Sequence, residues 1–241
     1  MCGRFALGIP RKAISQRFGL EAAPDAPARF NIAPGQLVEA VLAAPDIRMG
    51  SFRRMGLFRW GLVPSWAKDP SIGARLIIAR AETAAVKPAF RAALRRRRCL
   101  IPAQGIYEWS GPAGNGKARQ LRQPWFITSA SGELLALAAI WEHFESPAGE
   151  VVDSLAVLTC EANDLIRPLH HRMCVLVRPQ DDARWLDPRQ ETPRDIADIL
   201  ALRPWPGMEM YRVSTRVNSP AHEGAELIAP VTEQGGRNML V

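Results

Sequence analysis

The sequence has no long apolar segment that could cross a membrane. Its longest apolar run, Leu134 to Trp141, has the length of a strand, whereas a membrane-spanning helix needs ~20 apolar residues. The first residues, Met1 to Phe5, contain no apolar stretch of the kind found in secretory signals. We therefore expect a cytoplasmic protein with no membrane partner.

Cysteine and histidine are scarce. The 241-residue chain has four of each and no Cys-x-x-Cys pair or comparable metal-ligand spacing, so no metal site is expected. Because nothing indicates secretion, reduced thiols are predicted. Cys99, Cys160 and Cys174 lie in apolar, strand-like runs typical of buried structural thiols. Cys2 differs because it stands at the terminus itself.

Lysine is also scarce, and arginine dominates the basic residues. Only four of the 31 basic residues are lysines, and the formal net charge is +7. A basic balance favours anionic partners such as nucleic acid, and arginine binds phosphate well as a fork. A GC-rich genome produces the same bias without functional meaning. The run Arg95 to Arg98 is either part of a basic track or a solvated helix end.

The remaining pattern is that of a globular α+β protein. Charged residues make up 23% and aromatic residues 7% of the chain, which excludes wholesale disorder. Helical periodicity is found at Pro10 to Leu20 and, interrupted by Pro88, at Ala81 to Arg98. Strand-like runs outnumber helices without regular β–α–β alternation. We predict one domain over residues 1–241, with a mainly antiparallel, barrel-like sheet core and inserted and flanking helices.

Cys2 offers a specific chemistry once Met1 is removed, which is usual before a small residue. It then carries an amine and a thiol on adjacent carbons, with reference pKa values of ~7.7–8.0 and ~8.5. Such a 1,2-aminothiol condenses with an aldehyde to an imine, which the thiol closes to a thiazolidine. The same terminus suits an N-terminal-nucleophile hydrolase, in which the amine is the base for the thiol. A tolerated second residue without a role is the third interpretation.

Segments spread along the chain carry a resemblance to a known family. They are Met1-Cys2-Gly3-Arg4-Phe5, Arg29-Phe30-Asn31-Ile32-Ala33-Pro34-Gly35, Trp60-Gly61-Leu62-Val63-Pro64, Ala79-Arg80-Ala81-Glu82-Thr83, Gly105-Ile106-Tyr107-Glu108-Trp109 and His170-His171-Arg172-Met173. Each is weak alone, but in this order they resemble the SRAP family (SOS response-associated peptidase), the abasic-site-processing proteins of bacteria and eukaryotes. The likeness continues to Asn218 and the stretch Gly224 to Leu227, and so covers nearly the whole chain.

The resemblance implies covalent attachment to abasic sites in single-stranded DNA. Junctions between single-stranded and duplex DNA are a second form of this substrate. The open abasic sugar is an aldehyde, so Cys2 would form a thiazolidine crosslink without a metal, nucleotide or organic cofactor. The family's peptidase name fits self-removal of Met1 or release of the crosslink, a lyase-class reaction. The expected setting is a bacterial cytoplasm, at nucleoid DNA. We expect a monomer, since the sequence shows no coiled-coil or apolar interface signal.

The resemblance also implies roles for two catalytic residues besides Cys2. Glu108 matches the family's catalytic glutamate, which would move protons during imine formation and crosslink release. His170 matches the family's histidine, which would protonate the sugar ring oxygen and open the ring. A strand residue at the surface and a structural histidine are the plainer interpretations.

Further positions match residues that the family places around the DNA backbone and the lesion. These are Arg4, Asn31, Pro34, Trp66, Arg80 and Arg172. The arginines would act as phosphate forks, and Trp66 would stack on an unpaired base. For Arg80, a salt bridge to Glu82 is the alternative.

The chain departs from the family at Ile78, where the family has the asparagine of Asn-Ala-Arg. That asparagine holds the abasic sugar by hydrogen bonds, and its loss costs ~0.5–1.5 kcal/mol. Natural divergence and an engineered substitution both fit Ile78. A smaller departure is Cys174, where the family usually has proline. Two other function classes stay open: an N-terminal-nucleophile amidohydrolase, and a non-catalytic single-stranded nucleic-acid-binding protein impaired by Ile78.

Overall fold

The computed structural model describes residues 3–44, 53–110 and 122–231. Strands dominate these residues. They are β1 (Phe5–Leu7), β2 (Arg29–Ile32), β3 (Leu37–Ala43), β4 (Arg53–Trp60), β5 (Ile78–Arg80), β6 (Arg98–Ala103), β7 (Gly105–Ser110), β8 (Gln123–Ser129), β9 (Leu135–Glu145), β10 (Val151–Glu161), β11 (Arg172–Cys174) and β12 (Met208–Arg212). The helices are α1 (Arg11–Phe18), α2 (Ala81–Ala84), α3 (Arg91–Arg96), α4 (Asp182–Leu186) and α5 (Ala197–Leu200). Short 3₁₀ turns lie at Pro70–Arg75, Pro179–Asp181, Pro193–Ile196, Thr215–Asn218 and Ala225–Ile228.

Five of the strands form a closed barrel. Strands β10, β4, β3, β6 and β9 follow one another, and β9 pairs back onto β10. Only β4 with β10 is a parallel pair in this ring. The short strands β11 and β5 pair with β10 on the outside of the ring. The predicted α+β fold with a mainly antiparallel, barrel-like core is confirmed.

The second sheet is open and antiparallel, in the order β12-β8-β7-β1-β2. The first strand of the chain is therefore not an edge but lies between β7 and β2. Phe5 on β1 packs against Trp60 on β4, with ring centroids 5.5 Å apart, and so joins this sheet to the barrel. The N-terminal segment is held at the junction of the two sheets.

The run Leu100 to Trp109, which reads as one strand, is divided between the two sheets. The chain leaves the barrel after β6 and enters the open sheet at β7, with Gln104 between them. The Gln104 amide donates to the carbonyl of Ala6, and its side-chain oxygen accepts from the Gly8 amide. A Cβ on Gly105 would lie 2.3 Å from the Phe126 ring, so only glycine allows this close crossing.

The predicted first helix is confirmed as α1. Ile14 and Phe18 are four residues apart and are both fully buried, and Gly19 ends the helix in the left-handed conformation. The segment after Arg80 is helical with an interruption around Pro88, as predicted. No helix among the described residues is long and apolar enough to cross a membrane.

Candidate active site

The beginning of the chain lies beside Glu108. In β1, Phe5 pairs with Ile106, and the amide of Tyr107 donates to the carbonyl of Arg4 at 3.0 Å. Continuing this antiparallel register brings Gly3 opposite Glu108. Cys2 and Met1 lie outside the described residues. The structure therefore places the residue that follows the predicted nucleophile next to the predicted catalytic carboxyl.

Glu108 is buried, with 2% of its surface exposed, so it is not a surface strand residue. It lies on β7, where its neighbours Ile106 and Tyr107 are also buried. Burial raises the pKa of Glu108 because the ionised carboxylate loses hydration. A carboxyl with a raised pKa keeps its proton to a higher pH than an exposed glutamate, which suits a group that both donates and accepts a proton.

Arg4 is bound inside the protein rather than extended into solvent. It donates to Asn31 Oδ1 at 2.5 Å and to the carbonyl of Val217 at 2.8 Å, and its guanidinium lies 5.7 Å from the centroid of the Trp109 ring. Burial lowers the pKa of Arg4. The side-chain amide of Asn31, which is fully buried, donates to the carbonyls of Ser219 and His222. Both residues thus fix the 217–222 segment against β1.

His170 is half-buried and is held by the backbone of Arg172. The Arg172 amide donates to Nδ1 of His170 at 2.9 Å. Nδ1 also lies 3.1 Å from the carbonyl oxygen of Arg172, so the backbone of this residue offers the ring nitrogen both a donor and an acceptor. Burial lowers the pKa of His170, which favours the neutral ring. The His171 ring stacks on it, with centroids 4.5 Å apart.

The Arg172 side chain donates hydrogen bonds to acceptors within the protein. Its two terminal nitrogens donate to the two carboxylate oxygens of Glu82 at 2.6 and 2.8 Å. One of them also donates to the carbonyl of Thr159 at 2.6 Å and contacts its hydroxyl at 3.2 Å. Glu82 therefore pairs with Arg172 and not, as one interpretation of the sequence had it, with Arg80.

Ile78 and Arg80 lie on β5, which pairs in parallel with β10. Ile78 is partly buried and Arg80 is exposed. The indole N–H of Trp60 donates to the carbonyl of Ile77 at 2.9 Å. Since Trp60 also packs on Phe5, two contacts connect β5 with the strand that begins the chain.

Two loops complete the surroundings of this junction. Pro34 lies in a turn in which Gly35 has a φ of 86° and donates its amide to the carbonyl of Trp60. Trp66 lies in the loop after β4 and is 58% exposed. A Cβ on Gly73 would lie 2.6 Å from the Gly61 carbonyl oxygen, so this glycine contact holds the loop against the end of β4.

The arginine run is not a basic track. Arg98 is 3% exposed and donates to four backbone carbonyls, including those of Trp185 and Asp187. Arg97 pairs with Glu142 at 2.6 Å, and Arg96 pairs with Glu191 at 3.3 Å. The run ends α3 and closes it onto the barrel.

The thiols follow the prediction in part. Cys99 and Cys160 are free and buried, and burial raises the pKa of Cys160 to about 11. Cys174 is disulfide-bonded, so the prediction of a reduced thiol is wrong at this position. Within the described ranges no group of three acidic, histidine or cysteine side chains could hold a metal ion.

No sequence signal points to several residues that hold the site together. Glu82 and Thr159 accept from Arg172, and Asn218 accepts from the indole N–H of Trp109 at 2.6 Å. Glu82 and Arg172 are 90 positions apart and Trp109 and Asn218 are 109 positions apart, and no spacing rule predicts such contacts.

Comparison with known proteins agrees with this architecture. A solved structure from Bacteroides thetaiotaomicron superposes with a TM-score of 0.80, covering 96% of this chain and 100% of that one at 19% identity. At this identity the match defines the fold class. The family model "SOS response associated peptidase (SRAP)" matches residues 1–220. The chain belongs to the SRAP family.

Curated relatives align along nearly the whole chain. One is the abasic site processing protein YoqW of Bacillus subtilis, 36% identical over 95% of this chain and 99% of its own length. Another is the abasic site processing protein YedK of Escherichia coli, 30% identical over 96% of this chain and 100% of its own length. The resemblance noted in the sequence is thereby confirmed at the level of the family.

Proposed function

We propose that this protein processes abasic sites in single-stranded DNA by forming a covalent crosslink through Cys2 after Met1 is removed. The observation that carries the proposal is the pairing of β1 with β7, which brings Gly3 opposite the buried Glu108. The names of its full-length relatives support the substrate class. We propose that the protein acts as a monomer on nucleoid DNA in the cytoplasm.

The crosslink forms in two balanced steps. The α-amine of Cys2 adds to the aldehyde carbon of the open abasic sugar, and loss of water gives an imine. The thiol then adds to the imine carbon, forming a carbon–sulfur bond while its proton goes to nitrogen. The product is a thiazolidine, and the two nucleophiles gain from being carried on one residue. The reverse steps release the DNA, which is the lyase-class reaction.

Glu108 is proposed as the proton carrier for these steps. Because its pKa is raised, more of the carboxyl is protonated at a given pH than in an exposed glutamate, and this protonated form can protonate the departing hydroxyl of the carbinolamine. The resulting carboxylate can take back a proton from the amine. By microscopic reversibility, the same group serves crosslink release and any peptidase activity at the terminus.

His170 is proposed to open the sugar ring. The imidazolium form donates its proton to the ring oxygen as the bond between that oxygen and C1 breaks, while the C1 hydroxyl gives its proton to water and becomes the aldehyde. The lowered pKa of His170 makes the imidazolium a stronger acid for this transfer.

We propose that the DNA strand contacts those predicted DNA-binding residues that are exposed. Arg80 is exposed for a phosphate contact, and the exposed indole of Trp66 is available for stacking on a base. Arg4, Asn31 and Arg172 hold protein groups, so they would shape the binding surface and add positive charge near it. Pro34 would contribute through the turn that it begins.

The test is a denaturing gel with a single-stranded oligonucleotide that carries one abasic site, beside an intact strand. Wild-type protein lacking Met1 by intact mass should give a shifted band with the abasic strand alone. Cys2→Ala and Cys2→Ser should abolish the band while keeping the affinity for intact single strands. Cys160→Ala is the matched control, because that thiol is buried with a pKa raised to about 11, and it should leave the band unchanged.

Other outcomes would identify the other function classes. A band that survives Cys2→Ala would contradict the proposal. Amide hydrolysis without DNA that depends on Cys2 would indicate an N-terminal-nucleophile amidohydrolase.

A non-catalytic single-strand-binding protein is the second candidate, because the side chain of Ile78 offers no hydrogen bond where the family has an asparagine. In that case the strand binds without forming a band although Met1 is absent. Ile78→Asn would then restore the band if the missing hydrogen bond is the cause.

A further inference from the structure

Glu108, Trp125 and Arg212 form a row of side chains across one face of the open sheet. Trp125 of β8 lies directly opposite Glu108 of β7, and Arg212 of β12 lies directly opposite Trp125. Residues that are directly opposite in antiparallel strands point to the same face of the sheet. Because neighbouring strands are ~4.8 Å apart, Arg212 stands two strand spacings, ~10 Å, from Glu108.

The row lies on the face of the open sheet that packs on the barrel. Ile106, two residues before Glu108 on β7, belongs to the buried core that the barrel strands fill. Ile127, two residues after Trp125 on β8, belongs to the same core. Exposure increases along the row, since Glu108 is buried, Trp125 is partly buried and Arg212 is exposed. The row therefore leads from the candidate active site to solvent.

Trp125 and Arg212 are held in a fixed arrangement at the outer end of the row. The guanidinium of Arg212 lies 5.3 Å from the centroid of the Trp125 ring, within the range of a cation–π contact. The indole N–H of Trp125 donates to the hydroxyl of Ser110 at 3.1 Å. The backbone of Arg212 pairs with β8 on one side, and its carbonyl accepts from the amide of Val231 at 2.9 Å on the other. The guanidinium is thus presented on a restrained aromatic surface.

We propose that Arg212 binds a phosphate of the DNA strand beside the lesion and that Trp125 positions its guanidinium. An arginine stacked on a ring keeps a planar N–H fork that matches the oxygens of a phosphate. The contact lies ~10 Å from Glu108, so the strand leaves the active site across β8 and β12. Neither residue is among the positions to which the resemblance assigns a role. The inference rests on the proposed DNA substrate but not on the crosslinking reaction.

The first measurement is the salt dependence of binding to an intact single-stranded oligonucleotide, which involves no crosslink. Each phosphate contact to a single strand contributes ~0.7 to the negative slope of log K against log salt concentration. Arg212→Gln should therefore reduce the slope by ~0.7 and weaken binding about fivefold at about 0.1 M salt. The matched control is Arg95→Gln on α3, which removes the same charge from an exposed arginine outside the row. It should leave the slope unchanged.

A double-mutant cycle tests the positioning role of Trp125. Trp125→Leu should weaken binding in the wild type but have no further effect in Arg212→Gln, because it acts only through the guanidinium. Trp125→Phe should keep the wild-type affinity, since phenylalanine still offers a ring face to the arginine. A loss for Trp125→Leu that persists in Arg212→Gln would show that the indole contacts DNA directly, and would overturn the positioning role.

Neutral phosphates locate the contact on the strand. In an oligonucleotide with one abasic site, a methylphosphonate replaces each phosphate in turn, and the rate of crosslinking is measured at a protein concentration below saturation. At one position near the abasic site the replacement should slow the wild type about fivefold, the weight of one phosphate contact at about 0.1 M salt. The same replacement should not affect Arg212→Gln, because that contact is already absent.

The outcomes separate this inference from the proposed function. An unchanged salt slope in Arg212→Gln, or equal changes in Arg212→Gln and Arg95→Gln, would overturn the inference. A methylphosphonate scan in which every position affects wild type and Arg212→Gln alike would overturn it as well. A reduced slope for Arg212→Gln, in a protein that forms no crosslink, would refute the proposed function while the phosphate contact stands.

Discussion

At the scale of single residues, the environments of the candidate site residues differ in what determines their protonation or orientation. Glu108 is set by burial, His170 by a backbone hydrogen bond and Arg172 by a carboxylate. Residue type and order made Glu108 and His170 candidates through the family resemblance. They did not reveal that Arg172 is paired with Glu82, because an arginine on a basic protein reads equally well as a phosphate ligand.

Glu108→Gln should raise stability and lower activity together. A carboxyl whose pKa is raised by folding contributes stability below its unfolded pKa of ~4.3 and loses that contribution as pH rises through its folded pKa. The neutral amide avoids this loss. We therefore expect the variant to melt at a higher temperature than wild type at pH 8, with a smaller difference at pH 4.

The same variant should form crosslinks ~10²- to 10⁴-fold more slowly, the usual contribution of a positioned proton carrier. Thermal melts at the two pH values and single-turnover gels measure the two effects. A variant that is less stable than wild type at pH 8 would contradict the burial-dominated pKa of Glu108.

At the scale of elements, the excess of strands over helices and the mainly antiparallel character followed from the sequence, but the division into two sheets did not. The run Leu100 to Trp109 is mostly apolar, and its pattern does not show that the chain changes sheets at Gln104. The chain can pass from one sheet to the other here because Gly105 has no Cβ that would clash with the Phe126 ring. The short strand β5 was also missed, because three residues carry no periodicity.

The loop after β4 leads to a prediction about single-strand binding. Trp66 is exposed on a loop that the Gly61–Gly73 contact holds in place. Trp66→Ala should weaken binding of intact single strands by ~1–3 kcal/mol, about 5- to 150-fold. Trp66→Phe should keep most of the affinity because it still offers a ring for stacking.

Leu57→Ala is the matched control in fluorescence anisotropy titrations, since Leu57 is 55% exposed on β4. Equal losses for Trp66→Ala and Leu57→Ala would show that the indole does not stack on a base.

At the scale of the whole molecule, a buried carboxylate joins the barrel to two helices. Asp182 in α4 is 1% exposed on its side chain and accepts from Arg17 of α1 at 2.5 Å and from Arg53 of β4 at 3.3 Å. Removing one charged partner of a buried ion pair leaves the charges of the remaining partners without compensation.

Asp182→Asn should therefore lower the free energy of unfolding by ~3–5 kcal/mol, measured by urea denaturation. Glu191→Gln, which breaks the exposed pair with Arg96, should change it by less than ~1 kcal/mol. Equal changes in the free energy of unfolding for the two variants would show that the buried cluster stabilises the protein no more than the exposed pair does.

The central place of β1 also orders events in time. Its partners are residues 29–32 and 105–110, so the strand that is made first cannot be enclosed until about a hundred further residues have left the ribosome. At ~5–20 residues per second this takes ~5–20 s. During that interval β1 lacks its partner β7, and enzymes that trim initiator methionine can reach the nascent terminus. Protein synthesis itself thus provides the period in which the proposed nucleophile is unmasked, and completion of the open sheet brings that period to an end.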